Sequence, residues 1–513
     1  MGEERPAMAS RKDELNAYTY AKKRRVAAFV QPSPTGSDEG APRPLRAVVP
    51  GMVVGALVLA GFGAWGMFKP AVPAQWDKPN KNVIIGSEST TRYVVLTTDG
   101  RDQLHPVLNL SSARLLLDPD SFDIVSVNER ELDNGRIPHG ATLGIPYAPD
   151  RLPSADDAGT AKRWAVCQRP GGSGGAEAGH VQQAVFVLGD RDADRVEGRQ
   201  RLRDGQVLYV ASIRDQARYL VDGTGTKYLI GGPDWADMAE DETELLHRSL
   251  VGSEHDPQPV TEEWLATLNE GSPIVFPQLE GTIGESAGVP GLDPDTDRVG
   301  MVLLAPTGAG PQHYVVLPGK VVPVSEFTAR LLLDSPDAGS LGQASAALEV
   351  GAQTFTPAPA ADSIDRDHDW PAAAAEQVNA LAGDDTPRET VCSVLRSVDE
   401  DDGRTELSTW AGTGYPATIV NEAGSAYVTP GSGLLYRQVQ GEQAEAGGLY
   451  LVTDTGLRYA VDAGATTDKS ADDAQIRLGY RDVTPVPVPA HWSQFLPVGP
   501  RLDRASAQQP QGS

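Results

Sequence analysis

The sequence predicts an α+β protein with a single N-terminal transmembrane helix and an elongated outer domain. We expect that domain to contain four small α/β repeat modules around a central β-rich region, built from two tandem halves related by a pseudo-two-fold axis. Two observations carry this prediction. Residues 47–68 form one apolar segment without charge, and seven landmarks of the following region recur in order 216 to 231 residues later. The composition, 40% hydrophobic and 22% charged, is typical of a chain that folds.

The charge is distributed unevenly along the chain. The whole sequence has 44 Lys and Arg against 70 Asp and Glu, a net charge of −26, whereas the first 46 residues hold nine basic and six acidic side chains. The acidic surplus therefore lies after the apolar segment. So acidic a region after residue 68 repels the phosphate backbones of nucleic acids, so we do not expect a nucleic acid as a partner. Two cysteines exclude a cysteine-rich zinc site, an iron–sulfur cluster and a dense disulfide scaffold, and leave one bridge open.

The apolar segment 47–68 is expected to anchor the chain in a membrane. As a helix, its 22 residues would extend roughly 33 Å, against a hydrocarbon core of roughly 30 Å. The alternative is a cleaved signal peptide, because residues 72–74 resemble a cleavage site. An apolar run of this length, preceded by 46 residues, favours the anchor.

The orientation depends on the whole N-terminal tail. Close to the segment, two arginines precede it and three lysines follow it, so the local count of positive charges does not decide. The complete tail is basic, and large acidic domains are translocated regardless of charge. We therefore expect residues 1–46 in the cytoplasm and residues 69–513 outside, in a single-pass protein of the cell membrane.

Within the tail, residues 10–30 are predicted to form an amphipathic helix. Ser10 and Asp13 make a capping-box-like start, and prolines after residue 31 end the helix. Leu15, Tyr18 and Phe29 fall near one face. A short helix is marginal alone, so we expect it to lie on a partner protein or on the inner leaflet. The alternative is an ordinary basic juxtamembrane segment.

The outer region contains an internal duplication. Each half, 92–280 and 311–502, has two strand–turn–strand units on either side of a cysteine-bearing strand. Landmarks that keep their order at nearly constant spacing indicate common structure. The matching pairs are Tyr93 with Tyr314, Ala113 with Ala329, Cys167 with Cys392, Tyr209 with Tyr436, Tyr219 with Tyr450, Tyr228 with Tyr459, and Trp264 with Trp492.

The duplication and the changes in composition set the expected boundaries of the domains. The predicted order is a cytoplasmic tail (1–46), the transmembrane helix (47–68), a linker (69–91), module 1 (92–160), the first part of the central region (161–205), module 2 (206–280), a linker with module 3 (281–375), the second part of the central region (376–425), module 4 (426–502) and a disordered tail (503–513).

The two cysteines occupy equivalent positions of the two halves. Equivalent residues can meet near a two-fold axis, and a location outside the cytoplasm permits oxidation. We therefore predict a disulfide between Cys167 and Cys392; the alternative is two buried free thiols.

Four short motifs suggest chemistry that their contexts do not support. Ser286 sits in a G-x-S-x-G pattern, but Val289-Pro-Gly follows, where a nucleophile elbow needs a helix. Residues 293–304 begin like a calcium loop and lack its glycine and its last carboxylate. Residues 365–369 could collect a metal, although a solvated acidic linker fits the composition better. Residues 223–227 contain two glycines and Lys227, but in a hairpin turn rather than at a helix N-terminus. We expect no catalytic, cofactor or metal site.

Residues 8–24, MASRKDELNAYTYAKKR, resemble the N-terminal signature of the EccB family of type VII (ESX) secretion systems. The single apolar segment, the repeats and the cysteine pair are also similar to that family. Met8 resembles the usual start of the family. Either Met8 is the true start and residues 1–7 are an extension, or the protein starts at Met1.

The resemblance implies a structural role. EccB is expected to assemble with EccC, EccD, EccE and further copies of itself in a hexameric membrane complex that exports small WXG-type proteins. It also implies that the N-terminal helix docks on the cytoplasmic parts of partner subunits, and here the predicted anchors are Leu15, Tyr18 and Phe29, with the basic residues Lys22, Lys23, Arg24 and Arg25 facing acidic protein or lipid. Cell-wall binding and ATPase activity, which is attributed to some members, are the alternatives.

Overall fold

The protein is described here from a computed structural model. It describes residues 11–30, 45–67, 73–120, 122–171, 180–252, 256–343, 345–379, 388–399, 403–419, 425–440, 447–462 and 473–511. The chain divides into two compact units, Met1–Ala74 and Gln75–Ser513.

In its described residues, the first unit forms two helices, α1 (Arg11–Val30) and α2 (Leu45–Met67). None of the side chains of α1 is buried. Within the part of the chain that the structure describes, no helix is both long and apolar enough to cross a membrane. The prolines after residue 31, which are expected to end the first helix, lie outside the described residues.

The second unit contains four sheets with one shared topology. Three antiparallel strands are followed by a helix, and a fourth strand then pairs in parallel with the first. This arrangement leaves the first strand in the interior of each sheet. The elements are β1 (Asn82–Gly86), β2 (Arg92–Thr98), β3 (Arg101–Val107), α3 (Leu110–Leu116) and β4 (Asp123–Val127) in module 1, with α4 (Glu129–Leu132) and α5 (Ala155–Ala158) after it.

Modules 2 to 4 repeat this order with different connection lengths. Module 2 has β7 (Gln206–Ser212), β8 (Arg218–Asp222), β9 (Thr226–Leu229), α6 (Glu240–Val251) and β10 (Gln258–Val260), then α7 (Glu262–Leu265) and β11 (Asn269–Glu270). Module 3 has β12 (Val302–Thr307), β13 (Gly310–Leu317), β14 (Lys320–Val324), α8 (Glu326–Leu333), α9 (Ala338–Leu341) and β15 (Leu348–Glu349). Module 4 has β20 (Gly433–Val439), β21 (Leu449–Thr453), β22 (Arg458–Val461), α10 (Ala474–Arg477) and β23 (Val486–Pro489), then α11 (Ala490–Ser493) and α12 (Arg504–Ala507).

A fifth sheet lies between the modules in sequence and contains both cysteines. Its order is β18-β17-β5-β6-β19, with β17 and β5 antiparallel. The strands are β5 (Arg163–Pro170), β6 (Val181–Leu188), β17 (Thr390–Val398), β18 (Thr405–Gly412) and β19 (Ala426–Val428); a short strand, β16 (Glu376–Gln377), pairs with β7 instead. Two equivalent hairpins thus meet through their equivalent strands, which is the pairing that a two-fold rotation produces.

The hydrophobic core links modules from different halves. Leu115 of module 1 packs in one cluster with Leu435 and Tyr459 of module 4. Tyr209 of module 2 shares another cluster with Phe327 of module 3. The first module of each half therefore packs on the second module of the other half, so neither half could bury its apolar surface alone.

Two boundaries within the second unit differ from the sequence-based expectation. β1 (Asn82–Gly86) lies inside the segment expected to be a linker, 69–91; the strand is short, and Val83 and Ile84 have no exposed surface. Such a short run between two strands shows no alternation to reveal it. β19 belongs to the central sheet rather than to module 4, because it pairs with β6.

The expectation of a disordered tail over 503–513 is wrong for its described part. The side chain of Asp503 accepts a hydrogen bond from the backbone N–H of Ser506 at 2.7 Å and so caps α12. Ala507 has no exposed surface. The backbone N–H of Gln511 donates to the carbonyl of Thr142 at 2.8 Å. Packing on module 1 orders a segment whose composition alone looks like a tail.

Candidate functional site

The cysteine pair joins the two halves at the middle of the central sheet. Cys167 on β5 and Cys392 on β17 are directly opposite each other, with their Cα atoms 4.0 Å apart. Their sulfur atoms form a disulfide bond. Neither residue has exposed surface. Both pack in a cluster with Phe186 and Trp410. The crosslink therefore fixes the contact between the halves and is shielded from reductants in solution.

The glycine-rich turn at residues 223–227 already uses the groups that would bind a phosphate. It connects β8 to β9, and a carboxylate oxygen of Asp222 accepts hydrogen bonds from the backbone N–H groups of Thr224 and Thr226 at 2.9 and 3.0 Å. The Lys227 ammonium donates to the carbonyl of Leu265 at 3.0 Å and lies 2.9 Å from a carboxylate oxygen of Glu270. Lys227 is 8% exposed. Its role in the described structure is to tie β9 to the chain after α7.

Ser286 lies in a turn organised by a carboxylate. Its hydroxyl donates to Asp297 Oδ2 at 2.7 Å, and the backbone N–H groups of Gly288 and Val289 donate to the same carboxylate at 3.1 and 2.8 Å. Desolvation opposes ionisation, but these hydrogen bonds outweigh it and lower the pKa of Asp297. No helix follows Ser286 before β12 in this fully described stretch. The strand–turn–helix setting of a nucleophile elbow does not form here.

The acidic residues at 365–369 connect module 3 to module 2. Asp365 accepts a hydrogen bond from the backbone N–H of Ser325, at the start of α8. Asp369 accepts one from the N–H of Ser272 at 2.6 Å. Trp370 donates its indole N–H to the carbonyl of Pro273 at 3.1 Å. Among the described residues, no three His, Cys, Asp or Glu side chains are grouped as a metal ion would require.

The predicted docking residues lie along α1. Leu15, Tyr18 and Phe29 have 64%, 67% and 92% of their surface exposed. Lys22 is four residues after Tyr18 and seven after Leu15, so it lies on the same face of the helix and interrupts the apolar stripe. The helix presents a mixed apolar and basic face rather than a continuous apolar one.

Two residues that the sequence-based reasoning missed are brought together in module 2. Arg218 on β8 contacts His247 on α6, with Nη1 and Nδ1 2.5 Å apart. They line a cavity of about 440 Å³. One signal in the sequence could have indicated it, the long connection from β9 to α6 with its pair Gly231-Gly232.

Comparison with known families identifies the chain. The family model described as "Type VII secretion system ESX-1, transport TM domain B" matches residues 7–512. The chain belongs to the EccB family. The resemblance read from residues 8–24 is thereby confirmed.

Curated relatives match over different shares of their length. "ESX-3 secretion system ATPase EccB3" of Mycolicibacterium smegmatis is 27% identical over 489 residues, which cover 90% of this chain and 83% of that protein. "ESX-5 secretion system ATPase EccB5" of Mycobacterium tuberculosis is 25% identical over 538 residues, covering 97% and 93%. "ESX-1 secretion system ATPase EccB1" of Mycolicibacterium smegmatis is 31% identical over 295 residues, so the chain spans about half of that relative (54%).

Solved structures share the fold. A chain of an intact ESX-5 inner membrane complex superposes with a TM-score of 0.55 at 21% identity, covering 99% of this chain and 97% of that one. A chain from an EccB3 dimer of the ESX-3 core complex gives 0.54 at 22% identity, covering 83% and 99%. The mixed α+β architecture of several small sheets is thus that of EccB proteins.

Proposed function

We propose that this EccB-family chain is a structural subunit of a type VII secretion membrane complex and supports the export of small WXG-type proteins. The match of the family model to residues 7–512 carries the proposal, because it includes the N-terminal segment, the repeats and the cysteine pair together. The likeness to a chain of an ESX-5 inner membrane complex, over 99% of this chain, supports it at the level of the fold.

In this proposal, residues 47–68 anchor the chain in the membrane as a single span. The sequence there carries no charge, and as a helix its 22 residues would extend roughly 33 Å, against a hydrocarbon core of roughly 30 Å. The N-terminal tail is cytoplasmic and the second unit lies outside. Protease added to intact spheroplasts then removes the second unit and spares the tail; loss of the tail instead contradicts this orientation.

The partners that we propose are EccC, EccD, EccE and further copies of this chain, in a hexameric assembly. Modules that share hydrophobic clusters across the two halves, together with a buried disulfide, make the second unit rigid, as a scaffold requires. The test is the mass of the solubilised tagged chain on a native gel, together with the identity of the proteins that co-migrate. Migration as a monomer free of membrane partners contradicts the proposal.

ATP hydrolysis is the competing function, since the three relatives above have "ATPase" in their names. The most phosphate-like turn of this chain has its amides bound to Asp222 and its lysine bound to Leu265. A phosphate cradle needs such groups free at a helix N-terminus. We therefore assign the energy of transport to another subunit; ATP turnover by the purified full chain that one point substitution abolishes would overturn this assignment.

A further inference from the structure

The cavity of about 440 Å³ in module 2 has the features of a small-ligand site. Its volume lies within the range of about 300 to 1,000 Å³ typical of such sites. It is open to solvent on one side and bordered by β8, by the first two turns of α6 and by the connection between β9 and α6. The residues that matter below are Arg218, Ile230, Trp235, Met238, Glu240 and His247.

Two consecutive glycines allow the connection to close one side of the cavity. Gly231 and Gly232 have φ angles of 90° and 73°, in the region that favours glycine. A Cβ atom at Gly231 would lie 2.9 Å from both the Cβ atom of Trp235 and the sulfur of Met238. The backbone N–H of Trp235 donates to the carbonyl of Gly232 at 3.1 Å. The local sequence thus holds Trp235 and Met238 against the cavity.

Arg218 supplies hydrogen-bond donors and a positive charge to the cavity. Its Nη1 atom donates to the hydroxyl of Tyr209 at 3.2 Å and to Nδ1 of His247 at 2.5 Å. An arginine can only donate, so Nδ1 of His247 carries a lone pair and the ring proton is on Nε2. Burial, and then the charge of Arg218, lower the pKa of His247 to about 4, which keeps the ring neutral at pH 7.

Arg218 has no direct ion-pair partner in the part of the chain that the structure describes. Glu240 and Glu244 of α6 also line the cavity, and Glu244 is paired with Arg248 at 2.8 Å. A carboxylate is the partner that the planar donors of a guanidinium fit best.

We propose that this cavity binds a single carboxylate attached to an apolar group, with the carboxylate on Arg218 and the Nε2–H of His247 and the apolar group against Ile230, Trp235 and Met238. The acidic residues of α6 disfavour a ligand with a second negative charge. A free organic acid and the C-terminus of a polypeptide share this chemistry.

The test is a fluorine NMR titration of the purified full chain in detergent. Two probes carry the carboxylate, 4-fluorophenylacetate and an acetylated Gly-Gly-(4-fluoro-Phe) peptide with a free C-terminus, and their primary amides are the neutral controls. We expect saturable binding of at least one acid and much weaker binding of its amide. The small acid alone would indicate a free organic acid as the ligand; tighter binding of the peptide would indicate a polypeptide C-terminus.

Variants assign the binding to the cavity. Arg218→Gln is expected to weaken binding of the acid by at least about tenfold, because a charge-assisted pair is lost. Arg214→Gln, at an exposed arginine outside the cavity, is the matched control and leaves the affinity unchanged. Trp235→Ala, at the rim, weakens binding without touching the charge, and unchanged thermal midpoints show that the variants fold. Equal binding of acid and amide, unchanged affinity in Arg218→Gln, or no saturable binding of any probe at about 10 mM overturns the proposal.

Discussion

Removal of the Cys167–Cys392 disulfide is expected to lower the stability of the second unit substantially. The bond closes a segment of 225 residues. On the chain-entropy model a crosslink over that length decreases the entropy of the unfolded chain enough to contribute about 5 kcal/mol at 25 °C, an upper value because unfolded chains retain structure. The variant Cys167→Ala/Cys392→Ala loses this contribution while keeping both positions apolar and small.

The measurement is guanidinium unfolding of the full chain, followed by tryptophan fluorescence. Ser393→Ala is the control, since Ser393 neighbours Cys392 on β17, is equally buried and makes only a 3.5 Å hydrogen bond to Thr267. We expect this control to remain within about 1 kcal/mol of the parent. If the double alanine variant unfolds at the same denaturant concentration as the control, the crosslink does not restrict the unfolded chain and the reasoning fails.

Three further outcomes follow from the described contacts. Lys227→Ala should destabilise the chain by about 1–2 kcal/mol in the same unfolding assay, because the carbonyl of Leu265 loses one of its two donors and Glu270 loses its ion-pair partner, and should leave any background ATP turnover unchanged. Ser286→Ala should leave secretion unchanged in a culture-filtrate assay and cost at most about 1 kcal/mol, since its hydroxyl only bonds to Asp297 in an exposed turn. Backbone N–H groups, Ser89 first, hold the pKa of Glu129 at about 2 against its ordinary value of 4.5, so the stabilisation that it gives is present above pH 4.5 and is lost as the pH falls toward 2. The stability difference between parent and Glu129→Gln should therefore shrink over that interval; a constant difference would contradict the assignment.

The repeat was visible in the sequence because equivalent strands keep their landmarks. Tyr93 pairs with Ile84, and Tyr314 pairs with Leu303, at the same place of their sheets. The opposed cysteines follow from the same symmetry. Contacts within one repeat unit impose residue types at fixed spacing, which a single sequence can display.

Other features depend on contacts between distant parts of the chain. Ala507 is ordered because module 1 covers it, which nothing in its neighbourhood indicates. Arg218 and His247 come from different elements, and each alone is an ordinary surface residue type. Tertiary packing therefore decided what local patterns left open.

The most direct test of the central claim is co-purification of membrane partners with the tagged full chain and with its N-terminal variants. The triple change of Leu15, Tyr18 and Phe29 to Ala should leave the chain inserted and its second unit folded, because α1 contributes no buried side chain. Charge reversal of Lys22, Lys23, Arg24 and Arg25 should weaken the association more at low salt than at high salt, since exposed charges are screened. At matched membrane abundance, we expect the parent to recover EccC, EccD and EccE and the triple variant to lose them. Recovery of no ESX component by the parent contradicts the role as a secretion subunit, and full recovery by the triple variant contradicts docking through α1.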